Sequence, residues 1–227
     1  MSHDTYLSPA DRSTPPPARF SGAYDCAPDV ASVTAPTRAN HPLARLCDAL
    51  DNAFEQSADA ADPSQHASFA RGVRAALAEA AADPALLAPA QREGAVDCYR
   101  RHLLAADPYG RYAIAALVWM PGQVSPVHGH QTWCGYAVLD GTLTETVYDW
   151  NDTQQCASET RMHPRAEGAV SFVRAGRSGI HRLGNASGKP AVSLHIYGVE
   201  GSQIGTHVND LLQTADSVRP AAQQALA

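Results

Sequence analysis

Concentrated positive charge is missing from this chain. Lys and Arg number 17 against 23 Asp and Glu, a formal net charge of −6, and no stretch gathers the basic residues into a patch. No nucleic-acid partner is expected, because holding a phosphate backbone takes clustered cations. Cysteine is sparse and scattered: Cys26, Cys47, Cys98, Cys134 and Cys156 make an odd five without a Cys-x-x-Cys pair. That pattern argues against a disulfide framework and against a structural zinc site. No apolar run approaches the roughly 18 residues of a membrane span, and the first residues lack a signal-peptide core. The expectation is a cytoplasmic protein without a membrane partner. Internal repeats are not visible either, and nothing in the chain speaks to oligomeric state.

Residues 1–39 lack apolar periodicity as well. They are rich in Pro, Ser, Thr and Ala, including Pro15-Pro16-Pro17, and are expected to form a flexible arm. Residues 40–96 turn helical. Asn40 is the expected N-cap, with Pro42 in the first turn and Leu43, Leu46, Leu50 and Phe54 on one face. A second helix is expected to start at Asp62-Pro63, burying Phe69, Val73, Leu77 and Ala80. Asp83-Pro84 repeats the start signal for a shorter helix through Leu87. These helices read as a scaffold without chemistry, and His41 and His66 as surface residues.

From Cys98 the period changes to two, and β-branched and aromatic residues rise. Strands are expected near 98–104, 112–120, 132–139, 142–150, 169–173, 179–184 and 190–198, divided by turns at Pro108-Tyr109-Gly110, Asp140-Gly141 and Ala175-Gly176. Many short strands joined by tight turns imply a mainly β barrel or sandwich. It is expected over residues 97–208, with a tail over 209–227.

Within that region, residues 122–141 read GQVSPVHGHQTWCGYAVLDG. On a strand, side chains alternate between faces, so His128 and His130 project the same way and offer two neutral nitrogens to one metal ion. With Gly122 before them and Gly141 after, their spacing resembles the first cupin motif, G-x5-H-x-H-x3-E-x6-G, in which Cys134 stands where most cupins place a glutamate ligand. Residues 168–185 read GAVSFVRAGRSGIHRLGN, and His181 with Asn185 resembles the H-x3-N end of the second cupin motif. The fold expected from these matches is a cupin, a double-stranded β-helix or jelly-roll barrel, with N-terminal α-helices and a histidine-only metal site at His128, His130 and His181.

Two further strands carry polar rows. In 190–198, PAVSLHIYG, the residues Ser193, His195 and Tyr197 alternate with Val192, Leu194 and Ile196. If the apolar three pack outward, the polar three point into the barrel, where they suit a hydrogen-bond relay that orients the tyrosine hydroxyl. If not, that row faces solvent. Before it, Tyr99 and Arg101 share a face, and an arginine fork beside a phenol suits a substrate carboxylate. The neighbouring Arg100 reads as a surface residue.

Taken together, residues from about Tyr99 to Gly198 resemble the cupin-type thiol dioxygenases, most of all the cysteine dioxygenases of bacterial type. The resemblance implies Fe(II) on His128, His130 and His181, a Ser193–His195–Tyr197 relay, and carboxylate binding by Tyr99 and Arg101. It implies O2 and a small thiol bearing a carboxylate as substrates, the product being a sulfinic acid. Arg101 favours cysteine, since the mercaptopropionate-oxidising branch commonly has glutamine there; mercaptopropionate and mercaptosuccinate stay open as alternatives. Other metal-dependent cupin enzymes usually keep the carboxylate ligand that Cys134 replaces here, and a non-catalytic cupin binding module would need neither Arg101 nor the polar row. Animal members carry a cysteine crosslinked to the relay tyrosine, and counting back from Gly141 gives Cys134 that place. The segment between His130 and Cys134 is one residue shorter than in animal members, and Gly198 stands for a proline. By residue type alone, Cys134 simply fills space in the core.

Overall fold

The computed structural model describes residues 41–218; the arm over 1–39, Asn40 and the end of the tail lie outside the described residues. The first helix, α1 (Pro42–Glu55), is capped by His41, not by Asn40: the His41 Nδ1 accepts the Leu43 N–H at 3.2 Å. Its buried face carries Leu43, Leu46 and Leu50. Asp62 does cap a turn, but only the single 3-10 turn Pro63–Gln65. The chain then extends at His66 before α2 (Ala67–Ala81) begins, with Phe69, Val73, Leu77 and Ala80 buried as expected. The helix expected after Asp83-Pro84 does not form. Pro89 forces Ala88 to extended backbone (ψ 156°), which leaves too few residues for a helix, and a second 3-10 turn, Pro89–Arg92, follows.

Ten strands succeed: β1 (Arg100–Ala106), β2 (Ala113–Trp119), β3 (His128–His130), β4 (Cys134–Asp140), β5 (Thr142–Asn151), β6 (Cys156–Ala166), β7 (Val170–Val173), β8 (Gly176–Gly184), β9 (Ala191–Tyr197) and β10 (Asn209–Leu211). They form two antiparallel five-stranded sheets, ordered β1-β2-β9-β4-β7 and β10-β3-β8-β5-β6. A short helix, α3 (Ala215–Val218), closes the described chain. The fold is mainly β, a cupin barrel with helices packed on one sheet.

The helices decide which way the polar row on β9 points. Val192, Leu194 and Ile196 pack into one core with Leu50, Phe69, Val73 and Leu77 of α1 and α2. Alternation then sends Ser193, His195 and Tyr197 to the other face, which is also buried. Close approach of α2 to the sheet requires a glycine on β4: a Cβ on Gly135 would lie 2.9 Å from a Leu77 methyl. The opposite face of this sheet meets the second sheet around Tyr99, Trp119, Tyr136, Leu143 and Leu183.

Beyond the seven expected ranges and the short strand that carries His128 and His130, two more strands form. β6 is an edge strand laddered to β5, and its largely exposed side chains leave no apolar alternation to read. β10, within the stretch expected as tail, adds to the outer edge of β3. Cys98 is disulfide-bonded, while Cys47, Cys134 and Cys156 are free.

Candidate metal centre

β3 is only three residues long, and its outer two are histidines. Alternation puts His128 and His130 on one buried face. The antiparallel ladder to β8 sets His181 directly opposite His128. The three ring centroids lie 4.7–5.3 Å apart, and one potential ligand atom from each gathers within 4.8 Å of the others. Among the described residues no other His, Cys, Asp and Glu side chains form such a group.

The hydrogen bonds of the rings state which nitrogens are available. His128 Nδ1 is 2.9 Å from the Pro126 carbonyl and His181 Nδ1 is 2.8 Å from Glu145 Oε1. Both partners are acceptors, so each Nδ1 carries a proton and each Nε2 is the nitrogen left to face the site. Burial, with His181 as a neighbour, lowers His128 to about 3 and His130 to about 2. Both rings are therefore neutral at pH 7, the state a metal requires. Three buried, converging imidazoles with no carboxylate among them fit a divalent first-row transition ion.

One cavity joins this triad to five of the other predicted residues, Tyr99, Arg101, Cys134, His195 and Tyr197; Ser193 does not line it but touches His195. Arg101 is almost fully buried; its Nη1 donates to the Ile204 carbonyl at 2.9 Å, and its guanidinium carbon lies 5.8 Å from the Tyr197 ring centre. Tyr99 stacks on Trp119 at 4.3 Å. Ser193 Oγ accepts the Trp119 indole N–H at 2.9 Å and sits 2.9 Å from His195 Nε2. With the indole donating to it, the serine is free to give its own proton to Nε2, which leaves the His195 proton on Nδ1. Burial first, then Arg101, holds His195 well below the ordinary imidazole value, so this ring too is neutral. His195 in turn stacks against Tyr197, centroids 5.7 Å apart. Cys134 faces Tyr197 directly across the β4·β9 ladder, so the shortened segment after His130 does not carry it away. Burial pushes its thiol up to about 12.

Residues 90–207, more than half of the chain, match the family model for cysteine dioxygenase type I. The chain belongs to that family. Cysteine dioxygenase type 1 of Danio rerio is 32% identical over 105 residues, covering 44% of this chain and 50% of the relative. The Rattus norvegicus protein of the same name is 33% identical over 92 residues, 39% of this chain and 45% of the relative. The chain thus spans about half the length of the curated relatives it matches. Among solved structures, a Salinispora arenicola cupin 2 conserved barrel domain protein overlaps at TM-score 0.35 and 18% identity, covering 47% of this chain and 80% of that one. At such a score the overlap says nothing about activity.

Three residues around the site of this family member, Trp119 and Tyr136 on the cavity wall and Glu145 behind His181, are not among those expected from the sequence. Trp119, which fixes Ser193, lies on a strand apolar on both faces, so no alternation marked the inward side. Tyr136 lines the cavity beside His195, ring centroids 5.4 Å apart. Glu145 had a readable signal: on β5 it shares parity with buried Leu143, and a carboxylate at an inward strand position needs a partner. Burial alone would raise that carboxyl; the His181 hydrogen bond, with Arg165 and His163 nearby, outweighs it and holds the group below the usual carboxylate range.

Proposed function

We propose that the chain is a non-heme Fe(II) thiol dioxygenase that oxidises L-cysteine with O2 to cysteine sulfinic acid. The observation that carries this reading is a single small cavity lined both by three converging imidazoles and by a buried guanidinium. His128, His130 and His181 would hold the ion, which when bound supplies a site where a thiolate and O2 meet. Both oxygen atoms end on sulfur, and the product keeps the carbon skeleton. Arg101, with Tyr99, would take the substrate carboxylate as a bidentate, charge-assisted pair. His195, fixed through Nε2 by Ser193 and stacked on Tyr197, would orient the phenol so that its O–H turns toward substrate. The apolar walls around these groups keep bulk water from the reacting sulfur. A carboxylate clamp alone would equally accept 3-mercaptopropionate or mercaptosuccinate; the arginine at position 101 favours cysteine.

The test is iron content and oxygen uptake together. The chain supplied anaerobically with Fe(II) should retain about one iron and then consume one O2 per cysteine, with sulfinate as product. Faster uptake with 3-mercaptopropionate would move the substrate assignment. Absence of uptake with all three thiols would remove the dioxygenase reading.

The same reading makes Cys134 and Tyr197 crosslink partners. Directly opposed residues of an antiparallel pair hold their Cβ atoms about 4.5–5.5 Å apart, so sulfur and ring are neighbours. Forming a thioether breaks the S–H bond and one ring C–H bond, and O2 takes up both hydrogens and two electrons as hydrogen peroxide. Mass spectrometry after turnover should find a Cys134–Tyr197 peptide pair lighter by two hydrogens. An unmodified pair in fully active protein would leave Cys134 as core packing.

A further inference from the structure

The three imidazoles are not held alike. His128 leans on a neutral backbone carbonyl, that of Pro126. His130 has its Nδ1 buried without a hydrogen-bond partner among the described residues. His181 alone leans on a carboxylate, Glu145 Oε1 at 2.8 Å. We propose that Glu145 is a positioning residue of the metal centre, fixing the tautomer and the rotation of His181 and making it the strongest donor of the three. The inference rests on the three-histidine metal centre proposed above.

Glu145 is itself braced. Its second oxygen, Oε2, lies 3.2 Å from His163 Nε2 and 3.6 Å from Arg165 Nε, both side chains reaching across from β6. Arg165 is anchored in turn: its Nη2 donates to the Val170 carbonyl at 3.0 Å, and its guanidinium carbon sits 5.5 Å from the Tyr136 ring centre. Register adds to the bracing. Glu145 pairs with His163 across β5·β6, while its other ladder neighbour, Leu183, stands two residues after His181 on β8. A carboxylate held from behind in this way cannot swing off the imidazole without breaking an ion pair in a buried place. Partners of this kind raise ligand basicity, and removing one typically costs about 10–100-fold in metal affinity. The edge strand β6 thereby acquires a purpose: it supplies the groups that keep the carboxylate on the ligand.

The experiment uses the full chain, metal-free, in four forms: unaltered, Glu145→Gln, Glu145→Ala and Arg165→Met. Nitrogen-15 NMR of the imidazoles reads the His181 tautomer without any metal. Competition with a chelator reads affinity for Fe(II) under anaerobic conditions, and urea unfolding reads the metal-free fold. The unaltered chain and Glu145→Gln, whose amide oxygen can still accept, should hold His181 as the Nδ1–H tautomer, whereas Glu145→Ala should let the proton move to Nε2. Affinity should fall about 10–100-fold in Glu145→Ala, less in Glu145→Gln, and several-fold in Arg165→Met, with unfolding midpoints of the last two close to the unaltered chain. Should the alanine variant fail to fold, the near-isosteric Glu145→Gln and the β6 variant decide the matter. Unchanged affinity in both overturns the inference, as does a loss of affinity matched by loss of the metal-free fold. An unaltered chain that binds no Fe(II) removes the metal centre and this inference together. One that binds Fe(II) but oxidises no thiol removes only the proposed function.

Discussion

His181→Ala is expected to produce a chain that folds, retains no iron and consumes no oxygen with any thiol. The residue stands opposite His128 on the β3·β8 ladder and is the proposed ligand that comes from outside β3. Without it only two imidazoles converge. Losing a mere supporting partner of a ligand costs about 10–100-fold in affinity, and losing the ligand itself should exceed that, bringing turnover to background. Some stability should go as well, since Glu145 loses its hydrogen bond but keeps Arg165 and His163 beside it. Iron analysis, oxygen uptake and urea unfolding on one preparation separate these effects. Full oxygen uptake by an iron-free His181→Ala chain would remove the proposed centre.

The next largest effect is expected at Arg101, and it should depend on substrate. Truncating one partner of a buried, hydrogen-bonded charge pair costs on the order of 2–5 kcal/mol, and each 1.36 kcal/mol is tenfold. Arg101→Ala should therefore lower kcat/KM for cysteine and 3-mercaptopropionate by at least about 30-fold. Cysteamine has no carboxylate and should be spared most of that loss. Arg101 also donates to the Ile204 carbonyl, so a shared loss on all three substrates measures its structural part. An equal loss on carboxylate thiols and cysteamine would make the residue structural altogether. Arg101→Gln should shift preference from cysteine toward 3-mercaptopropionate, and steady-state rates on the two thiols would show it.

What was legible beforehand follows from how local each signal is. His128 and His130 announce themselves because two-residue alternation is a property of the strand alone, and the buried stripe of α2 because the 3.6-residue period needs no partner. The inward turn of Ser193, His195 and Tyr197 could be conditioned only on something covering Val192, Leu194 and Ile196; the helices that do so come from a distant part of the chain. Facts of pairing were out of reach in the same way. Which residue stands behind His181, and that Cys134 faces Tyr197, depend on register between strands remote in sequence. Start signals misled where a later residue overrode them: Asp83-Pro84 is a sound helix opening that Pro89 cuts off. The exposed β6 and the three-residue β10 are held by ladder hydrogen bonds, which leave little mark on side-chain pattern.

The place of β10 has a consequence for how such a centre comes into being during synthesis. The outer edge of β3 is satisfied by residues made much later: Asn209 pairs with His130, and Gln131 reaches the Asn209 carbonyl from 78 positions away. The inner edge waits for β8. Chains emerge from the ribosome from their N-terminus at about 5–20 residues per second, so α1, α2 and the β1–β2 hairpin exist for seconds before either edge can close. Contacts this remote are entropically costly to close and slow to form. Until they do, a three-residue strand bearing two histidines lacks both its neighbours. The ion would then enter a nearly finished barrel rather than nucleate one, and iron supply would limit the active fraction of the protein without limiting its folding.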